Sequence, residues 1–144
     1  MAIVSQYYGY EQVSEVAQLL HELSQSCGVI TFQGPIGAGK TTLIRDFLKR
    51  LGVAESIVSP TFTYVSCYKT ALGRSVYHFD LYRIETITQF ESMGFLEYLY
   101  EPGALVFIEW PELIAPLVKN SVCTVVIDYA HQPQQRCITI AITE

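Results

Sequence analysis

The sequence predicts a three-layer α/β domain, with helices on both faces of a mixed, largely parallel sheet that includes an antiparallel hairpin portion. Strand-like and helix-like segments alternate along the 144 residues, a pattern typical of this class. The run Ala104–Ile108 is continuously apolar, as expected of a strand buried on both faces. A glycine-rich loop also separates a strand from a helix. The length fits one domain covering residues 1–144.

The first half of the chain predicts two strand–helix pairs. A strand over Ile3–Tyr8 precedes a helix over Glu11–Ser26 with one apolar face. A second strand covers Val29–Phe32, which is apolar and rich in β-branched residues. The helix after the glycine-rich loop covers Thr42–Leu51, where apolar residues follow helical spacing and Gly52 is the stop signal.

The middle of the chain predicts a hairpin and then a helix. Thr61–Lys69 alternates between polar and apolar residues, residues 71–74 are turn-like, and Ser75–Asp80 returns as a strand. We expect antiparallel pairs towards the end of the sheet that holds such hairpins. The helix predicted over Thr86–Leu99 contains Gly94, a residue that disfavours helix.

The last third of the chain predicts a helix between strands. The buried strand over Ala104–Ile108 leads to a short helix over Pro111–Val118, with proline in its first turn. Two final strands are predicted over Ser121–Asp128 and Arg136–Ile142.

Composition limits the classes of function. Half of the residues are hydrophobic, 16% are charged, and the formal net charge is −5, which predicts a packed globular protein. An acidic chain without a basic run gains little from the counterion release that drives nucleic-acid binding. Direct, strong binding of RNA or DNA is therefore disfavoured.

Cysteine spacing and hydropathy predict the compartment. The four cysteines are widely spaced and form no C-x-x-C pair, which disfavours a zinc site and favours reduced thiols in a reducing cytosol. The N-terminus resembles no secretory signal, and no apolar stretch approaches the roughly 18 residues needed to span a bilayer. We expect a soluble cytoplasmic protein with no membrane association.

Residues Gly34–Thr41 read GPIGAGKT and match the phosphate-loop pattern G-x-x-x-x-G-K-S/T without exception. Its glycines let successive backbone N–H groups face one anion. The Lys40 ammonium can reach β- and γ-phosphates, and the Thr41 hydroxyl is a hard oxygen ligand for Mg²⁺. The residues predicted to bind nucleotide are Gly34, Gly37, Ala38, Gly39, Lys40, Thr41 and Thr42.

Two carboxylates are candidate partners of the phosphate loop. Glu109 directly follows the buried strand, at the edge where ligands of α/β proteins bind, so it is the better candidate for binding Mg²⁺ directly or through water. Asp80 ends another predicted strand and can share the metal shell or orient the attacking water. An exposed strand end and a turn carboxylate are the structural alternatives for these two residues. His78, on the same strand face as Asp80, fits either a hydrogen-bond partner near the γ-phosphate or a buried core histidine.

Two further residues have open roles. Thr61, within Ser59–Pro60–Thr61, fits either a contact to the γ-phosphate or an ordinary proline-containing turn. Arg83 fits either a phosphate contact or a surface ion pair.

These segments together resemble the TsaE (YjeE) family, the P-loop ATPases of bacterial tRNA threonylcarbamoyladenosine (t6A) synthesis. The resemblance spans four blocks in the family's order and spacing. They are Gly34–Thr42, Ser59–Phe62, His78–Arg83 and Ile108–Glu112.

The resemblance implies a P-loop fold in which Lys40 and Thr41 hold phosphate and Mg²⁺. It implies a Mg²⁺ ligand at Glu109, a catalytic or metal-linked aspartate at Asp80, and a switch-like segment ending at Thr61. Trp110 is expected to pack beside the nucleotide, and atoms around Glu11–Val13 are expected beside the adenine. The family acts with the TsaB–TsaD pair, which modifies adenosine 37 of tRNA, so the ATPase contacts tRNA only through that complex.

Three other functions remain open. A small-molecule kinase of this class usually has a lid and clustered arginines, whereas the five arginines here are scattered. A GTPase usually has an Asn-Lys-x-Asp segment, whereas the single asparagine, Asn120, precedes Ser-Val. A nucleotide-loaded binding module with negligible hydrolysis fits the sequence nearly as well as an ATPase. We expect low intrinsic turnover, because no arginine finger is evident in the chain.

Overall fold

A computed structural model of the chain describes residues 2–57, 60, 62–119 and 121–143. The strands are β1 (Ala2–Gly9), β2 (Val29–Gln33), β3 (Val65–Lys69), β4 (Ser75–Asp80), β5 (Leu105–Glu109), β6 (Val122–Tyr129) and β7 (Gln135–Thr143). The α-helices are α1 (Val13–Leu23), α2 (Lys40–Arg50), α3 (Ile87–Ser92) and α4 (Leu96–Leu99). Short 3₁₀ helices cover Tyr10–Gln12 and Glu112–Leu117.

The strands form one mixed sheet in the order β1-β7-β6-β2-β5-β4-β3. Its four central strands, β6, β2, β5 and β4, are parallel, which confirms the predicted parallel core. Antiparallel pairs lie at both edges, rather than at one end as we expected. The β3–β4 hairpin forms one edge, and β7 pairs with β6 and β1 at the other.

Helices cover both faces of the sheet, which confirms the three predicted layers. Helices α1 and α2 pack on one face through buried apolar side chains such as Leu20 and Ile44. Helices α3 and α4 and the second 3₁₀ helix cover the other face. The rings of Phe79, Phe90 and Phe95 lie 5.4–5.8 Å apart there, a spacing typical of favourable aromatic pairs.

Two predicted helices differ from the observed ones. The helix expected over Glu11–Ser26 begins as a 3₁₀ turn and becomes an α-helix only from Val13 to Leu23. The helix expected over Thr86–Leu99 is divided into α3 and α4. Gly94 has a φ of +79°, a left-handed conformation that commonly ends an α-helix.

The strand expected from Thr61 to Lys69 begins only at Val65. Tyr64 has a φ of +67°, and its N–H donates to the Pro60 carbonyl oxygen over 2.8 Å. This turn prevents extension of the strand towards its N-terminus. Thr61 itself lies outside the described residues.

Two other predictions concern membrane-spanning segments and the state of the cysteines. In the part of the chain that the structure describes, no helix is long and apolar enough to cross a membrane. Cys67, Cys123 and Cys137 carry free thiols.

Candidate nucleotide site

The site lies where the carboxyl ends of three parallel strands meet. Strand β2 ends at Gln33 and continues into the glycine-rich loop, while β4 and β5 end at Asp80 and Glu109. The sheet register places Asp80 directly beside Glu109. Helix α2 begins at Lys40, so its positive end faces the loop. The topology therefore brings the predicted loop and both predicted carboxylates together at the carboxyl ends of these strands.

Glycine is required where the loop leaves β2. Gly34 has a φ of +148°, and a Cβ there would collide with the backbone carbonyl oxygen of Ile127 in β6. Gly37 and Gly39 have φ values of +80° and +104°, in the left-handed region that favours glycine. The three glycines therefore allow both the loop's curvature and its close approach to β6.

Lys40 lies where the loop passes into α2 and is only 5% exposed. Its Nζ atom donates to the Gly34 carbonyl oxygen and lies 3.7 Å from the centroid of the Trp110 ring. Burial lowers the pKa of the Lys40 ammonium, while the nearby carboxylates of Glu109 and Asp80 act to raise it. The ammonium thus contacts a carbonyl oxygen and an aromatic ring, and an incoming anion can replace both.

Glu109 connects the loop to the neighbouring strand. The Thr41 hydroxyl donates to Oε1 of Glu109 over 3.1 Å and lies 3.3 Å from Oε2. The Nε2 atom of His78 lies 2.7 Å from Oε2. Glu109 is 3% exposed and His78 is fully buried. The carboxylate is therefore held from two sides, by Thr41 in the loop and His78 in β4.

Asp80 is buried beside this group. Its Oδ1 atom accepts from the Tyr82 backbone N–H over 3.1 Å, and its own N–H donates to the Tyr64 carbonyl oxygen over 2.9 Å. These bonds fix Asp80 at the start of the turn that follows β4. The carboxylate can accept further hydrogen bonds from a water or ligand in the site.

A cavity of about 380 Å³ opens between the loop and the two carboxylates. The predicted residues that line it are Gly37, Ala38, Gly39, Lys40, Thr41, Thr42, Asp80 and Glu109. Gly34, at the start of the loop, does not line the cavity. Arg83 does not line the cavity either, and its guanidinium lies 5.0 Å from the centroid of the Phe62 ring.

A second cavity of about 310 Å³ also opens beside the loop. Gly37, Ala38 and Gly39 line both cavities. The other walls of the second cavity come from the two ends of the chain, namely Tyr8, Gly9, Tyr10, Val13, Pro133, Gln134 and Arg136, with Thr42 of α2. Val13 falls within the segment expected beside the adenine.

Sequence reasoning missed Tyr8 and Arg136 in this second cavity. They lie on neighbouring antiparallel strands and are paired in register. An Nη atom of Arg136 lies 3.5 Å from the Gly37 carbonyl oxygen, and its guanidinium lies 5.0 Å from the centroid of the Tyr129 ring. No short motif carries this arrangement, because strand pairing alone brings residues from opposite ends of the chain to the loop.

Trp110 also lines the first cavity. Its ring lies 4.9 Å from the ring of Tyr82, and its backbone φ is +59°. Its N–H donates to the Phe32 carbonyl oxygen over 3.2 Å. This hydrogen bond holds the Trp110 backbone against β2. With this backbone conformation, the indole lies against Lys40.

Comparison with known proteins adds independent information. A family model described as "Threonylcarbamoyl adenosine biosynthesis protein TsaE" matches residues 9–138. A protein from Rickettsia felis named tRNA threonylcarbamoyladenosine biosynthesis protein TsaE is 32% identical over 131 residues, which cover 90% of this chain and 75% of the relative. A Bacillus subtilis protein of the same name is 30% identical over 132 residues, which cover 92% of this chain and 81% of the relative.

A solved structure gives the same result for the fold. The crystal structure of Bacillus subtilis YdiB aligns with a TM-score of 0.71 and 26% sequence identity, covering 97% of this chain and 86% of that one. The similarity therefore extends beyond the four motif blocks to nearly the whole sheet and its helices. By sequence and by fold, the chain belongs to the TsaE family of tRNA threonylcarbamoyladenosine biosynthesis proteins.

Proposed function

We propose that this chain is a Mg²⁺-dependent ATPase that acts in the cytoplasm on the TsaB–TsaD complex and so supports t6A modification of adenosine 37 in tRNA. The observation that carries the proposal is the grouping of Lys40, Thr41 and Glu109 around one cavity at the mouth of the glycine-rich loop. Membership of the TsaE family supports the pathway, and the site supports the chemistry.

The phosphates of ATP are proposed to bind in the first cavity, against the loop and the start of α2. Lys40 would exchange the neutral Gly34 carbonyl for phosphate oxygens. This exchange is favourable because a hydrogen bond between two charged groups is stronger than one to a neutral acceptor. Phosphate would also complement the positive end of α2.

Mg²⁺ fits the oxygen ligands beside the phosphates. The Thr41 hydroxyl and the Glu109 carboxylate lie within 3.1 Å of each other, and both are hard oxygen donors. Mg²⁺ in such sites takes one or two protein ligands and completes its shell with phosphate oxygens and water. When bound, the ion would neutralise charge on the β- and γ-phosphates.

Asp80 is proposed to orient the attacking water. Its register position beside Glu109 places it at the same cavity, and its carboxylate can accept a hydrogen bond from a water molecule. Thr61, outside the described residues, is proposed to contact the γ-phosphate.

The adenine and ribose are proposed to occupy the second cavity. Tyr8, Tyr10 and Val13 offer aromatic and apolar surface, and the Arg136 guanidinium can stack on a base or contact the α-phosphate. Gly37, Ala38, Gly39 and Thr42 line both cavities, so one nucleotide can span them.

A nucleotide-loaded module with negligible hydrolysis is the second candidate. Among the described residues, no arginine lines the phosphate cavity. An arginine that stabilises the transition state would then have to come from a partner. The isolated chain is accordingly expected to turn over slowly under either function.

The experiment that separates the two is ATP hydrolysis by the purified chain, alone and with its cognate TsaB–TsaD pair. Marked stimulation that is lost in Asp80→Asn would support the ATPase. ATP binding without stimulated turnover would favour the binding module. Transfer of phosphate to a small acceptor instead of water would point to a kinase.

A further inference from the structure

We propose that His78 is a positioning residue for the metal site, donating a hydrogen bond from Nε2 to Oε2 of Glu109 and so fixing the carboxylate that faces Mg²⁺. The inference rests on the proposed role of Glu109 as a Mg²⁺ ligand. It assigns a function to a buried side chain that lies behind the cavity instead of lining it.

The sheet fixes the two residues relative to each other. His78 lies in β4, and Glu109 is the last residue of the adjacent parallel strand β5. The register pairs His78 with Phe107 and Asp80 with Glu109. His78 therefore reaches Glu109 diagonally, along the face of the sheet that carries α2. Because both strands are central in the sheet, their spacing is set by backbone pairing on either side.

The hydrogen-bond partners indicate where the imidazole carries its hydrogen. An ionised carboxylate only accepts hydrogen bonds, so the 2.7 Å contact requires the hydrogen on Nε2. The Nδ1 atom is buried and has no hydrogen-bond partner among the described residues. A hydrogen on Nδ1 would be an unsatisfied buried donor, which is unfavourable. An imidazole that carries its hydrogen on Nε2 supplies the donor to Glu109 and leaves no buried donor at Nδ1 without a partner.

Two donors hold the Glu109 carboxylate from different directions. Thr41 donates to Oε1 from the cavity side, whereas His78 lies against Oε2 from the core side. Without His78, Oε2 would be a buried charged oxygen lacking its closest partner, and the carboxylate could rotate. Losing a residue that orients a metal ligand typically weakens metal affinity by about 10- to 100-fold.

Two substitutions separate positioning from simple packing. In His78→Gln the side-chain amide nitrogen reaches approximately the place of Nε2, whereas in His78→Asn it reaches only the place of Nδ1. Both variants place a smaller neutral amide in the same buried position, so both should lose thermal stability. Only the glutamine variant retains a donor to Glu109.

The first measurement is the Mg²⁺ concentration that half-saturates ATP binding, with Mg²⁺-free ATP binding as the reference. We expect His78→Asn to raise that concentration about 10-fold or more, and His78→Gln to stay close to wild type. If wild type binds ATP in a Mg²⁺-dependent way but the two variants show equal Mg²⁺ dependence, the role of His78 is overturned. The proposed metal site would survive that result. If wild type binds ATP without any Mg²⁺ dependence, the proposed metal site and this inference both fail.

The second measurement uses the protein without metal or nucleotide. Long-range ¹H–¹⁵N spectra distinguish the two neutral tautomers of the imidazole, and His21 and His131 provide internal references. We expect His78 to carry its hydrogen on Nε2 in wild type. A hydrogen on Nδ1 would contradict the proposed donor, whatever the metal titrations show.

Discussion

The Lys40 ammonium lies 3.7 Å from the centroid of the Trp110 ring while it donates to the Gly34 carbonyl oxygen. A cation this close to an indole face is attracted by the electrons of the ring. Trp110 is directed towards Lys40 by a backbone with a φ of +59°. A carbonyl oxygen and an aromatic face therefore stabilise the ammonium of Lys40, and phosphate can replace both contacts.

This contact predicts a fluorescence signal for ATP binding. Trp110 is the only tryptophan of the chain, and moving Lys40 to phosphate removes a charge from the face of its ring. We expect the emission of wild type to change saturably as ATP is added. Lys40→Met should abolish this change and weaken ATP binding by roughly 10- to 100-fold, as expected for losing about 1.5–3 kcal/mol from a charged hydrogen bond.

The control for that prediction is Lys49→Met, which changes an exposed lysine near the end of the same helix. Its emission change and affinity should equal those of wild type. Constant emission in wild type at an ATP concentration shown by calorimetry to saturate the site would contradict the proposed movement of Lys40.

Glu109→Gln tests the carboxylate directly. The substitution keeps the shape of the side chain and removes its charge, so we expect ATP binding without Mg²⁺ to persist and Mg²⁺-dependent hydrolysis to fall by at least about 100-fold, within the range for lost charge stabilisation in a catalytic site. The measurement is phosphate release at saturating ATP, in the presence of TsaB–TsaD. Glu91→Gln, which alters an exposed carboxylate in α3, should behave like wild type. Normal turnover in Glu109→Gln would mean that another group performs this role.

Gly34→Ala is expected to destabilise both the fold and the site. The new Cβ would collide with the Ile127 carbonyl, and the φ of +148° is itself unfavourable for alanine. We expect a loss of about 2–5 kcal/mol, combining backbone strain with overpacking. Gly103→Ala is the matched control, since its φ is also positive but a Cβ there meets open space. Chemical denaturation of the two variants should show the larger loss for Gly34→Ala, and equal losses would contradict the collision.

Burial raises the pKa of the Cys123 thiol to about 12. Since the thiolate is the reactive form, iodoacetamide at pH 8 should modify the exposed Cys67 in the folded protein and Cys123 only after unfolding. Peptide mass spectrometry measures this order. A folded pKa above the unfolded one also means that stability is fully present below pH of about 8.5 and falls as pH rises towards 12. Cys123→Ala should reduce that fall, and an unchanged slope would contradict the shift.

The part of the site that could be predicted from sequence is local in the chain. The phosphate loop, the strand before it and the helix after it depend on consecutive residues, so the pattern specifies them together. Asp80 and Glu109 were recognisable because each ends an apolar run, and the parallel register then places them side by side.

The part that could not be predicted depends on distant pairing or on single backbone angles. Arg136 reaches the loop through a register with Tyr8 and Tyr129 that no local pattern encodes. The start of β3 depends on the positive φ of Tyr64, a conformation that tyrosine rarely adopts. Gly94 was recognisable as a disfavoured helical residue, but its left-handed conformation divides the helix completely.

Strands β6 and β7 contact the phosphate loop through residues near the ends where the two strands join. The Ile127 carbonyl lies beneath Gly34, the Tyr129 hydroxyl donates to the Ile36 carbonyl 93 positions earlier in the chain, and Arg136 reaches Gly37. If the loop were grafted into another scaffold with only β2 and α2, it would therefore lose these contacts from β6 and β7. Conversely, substitutions at Tyr129 in β6 and Arg136 in β7 offer a way to tune nucleotide affinity without altering a single residue of the phosphate-loop motif.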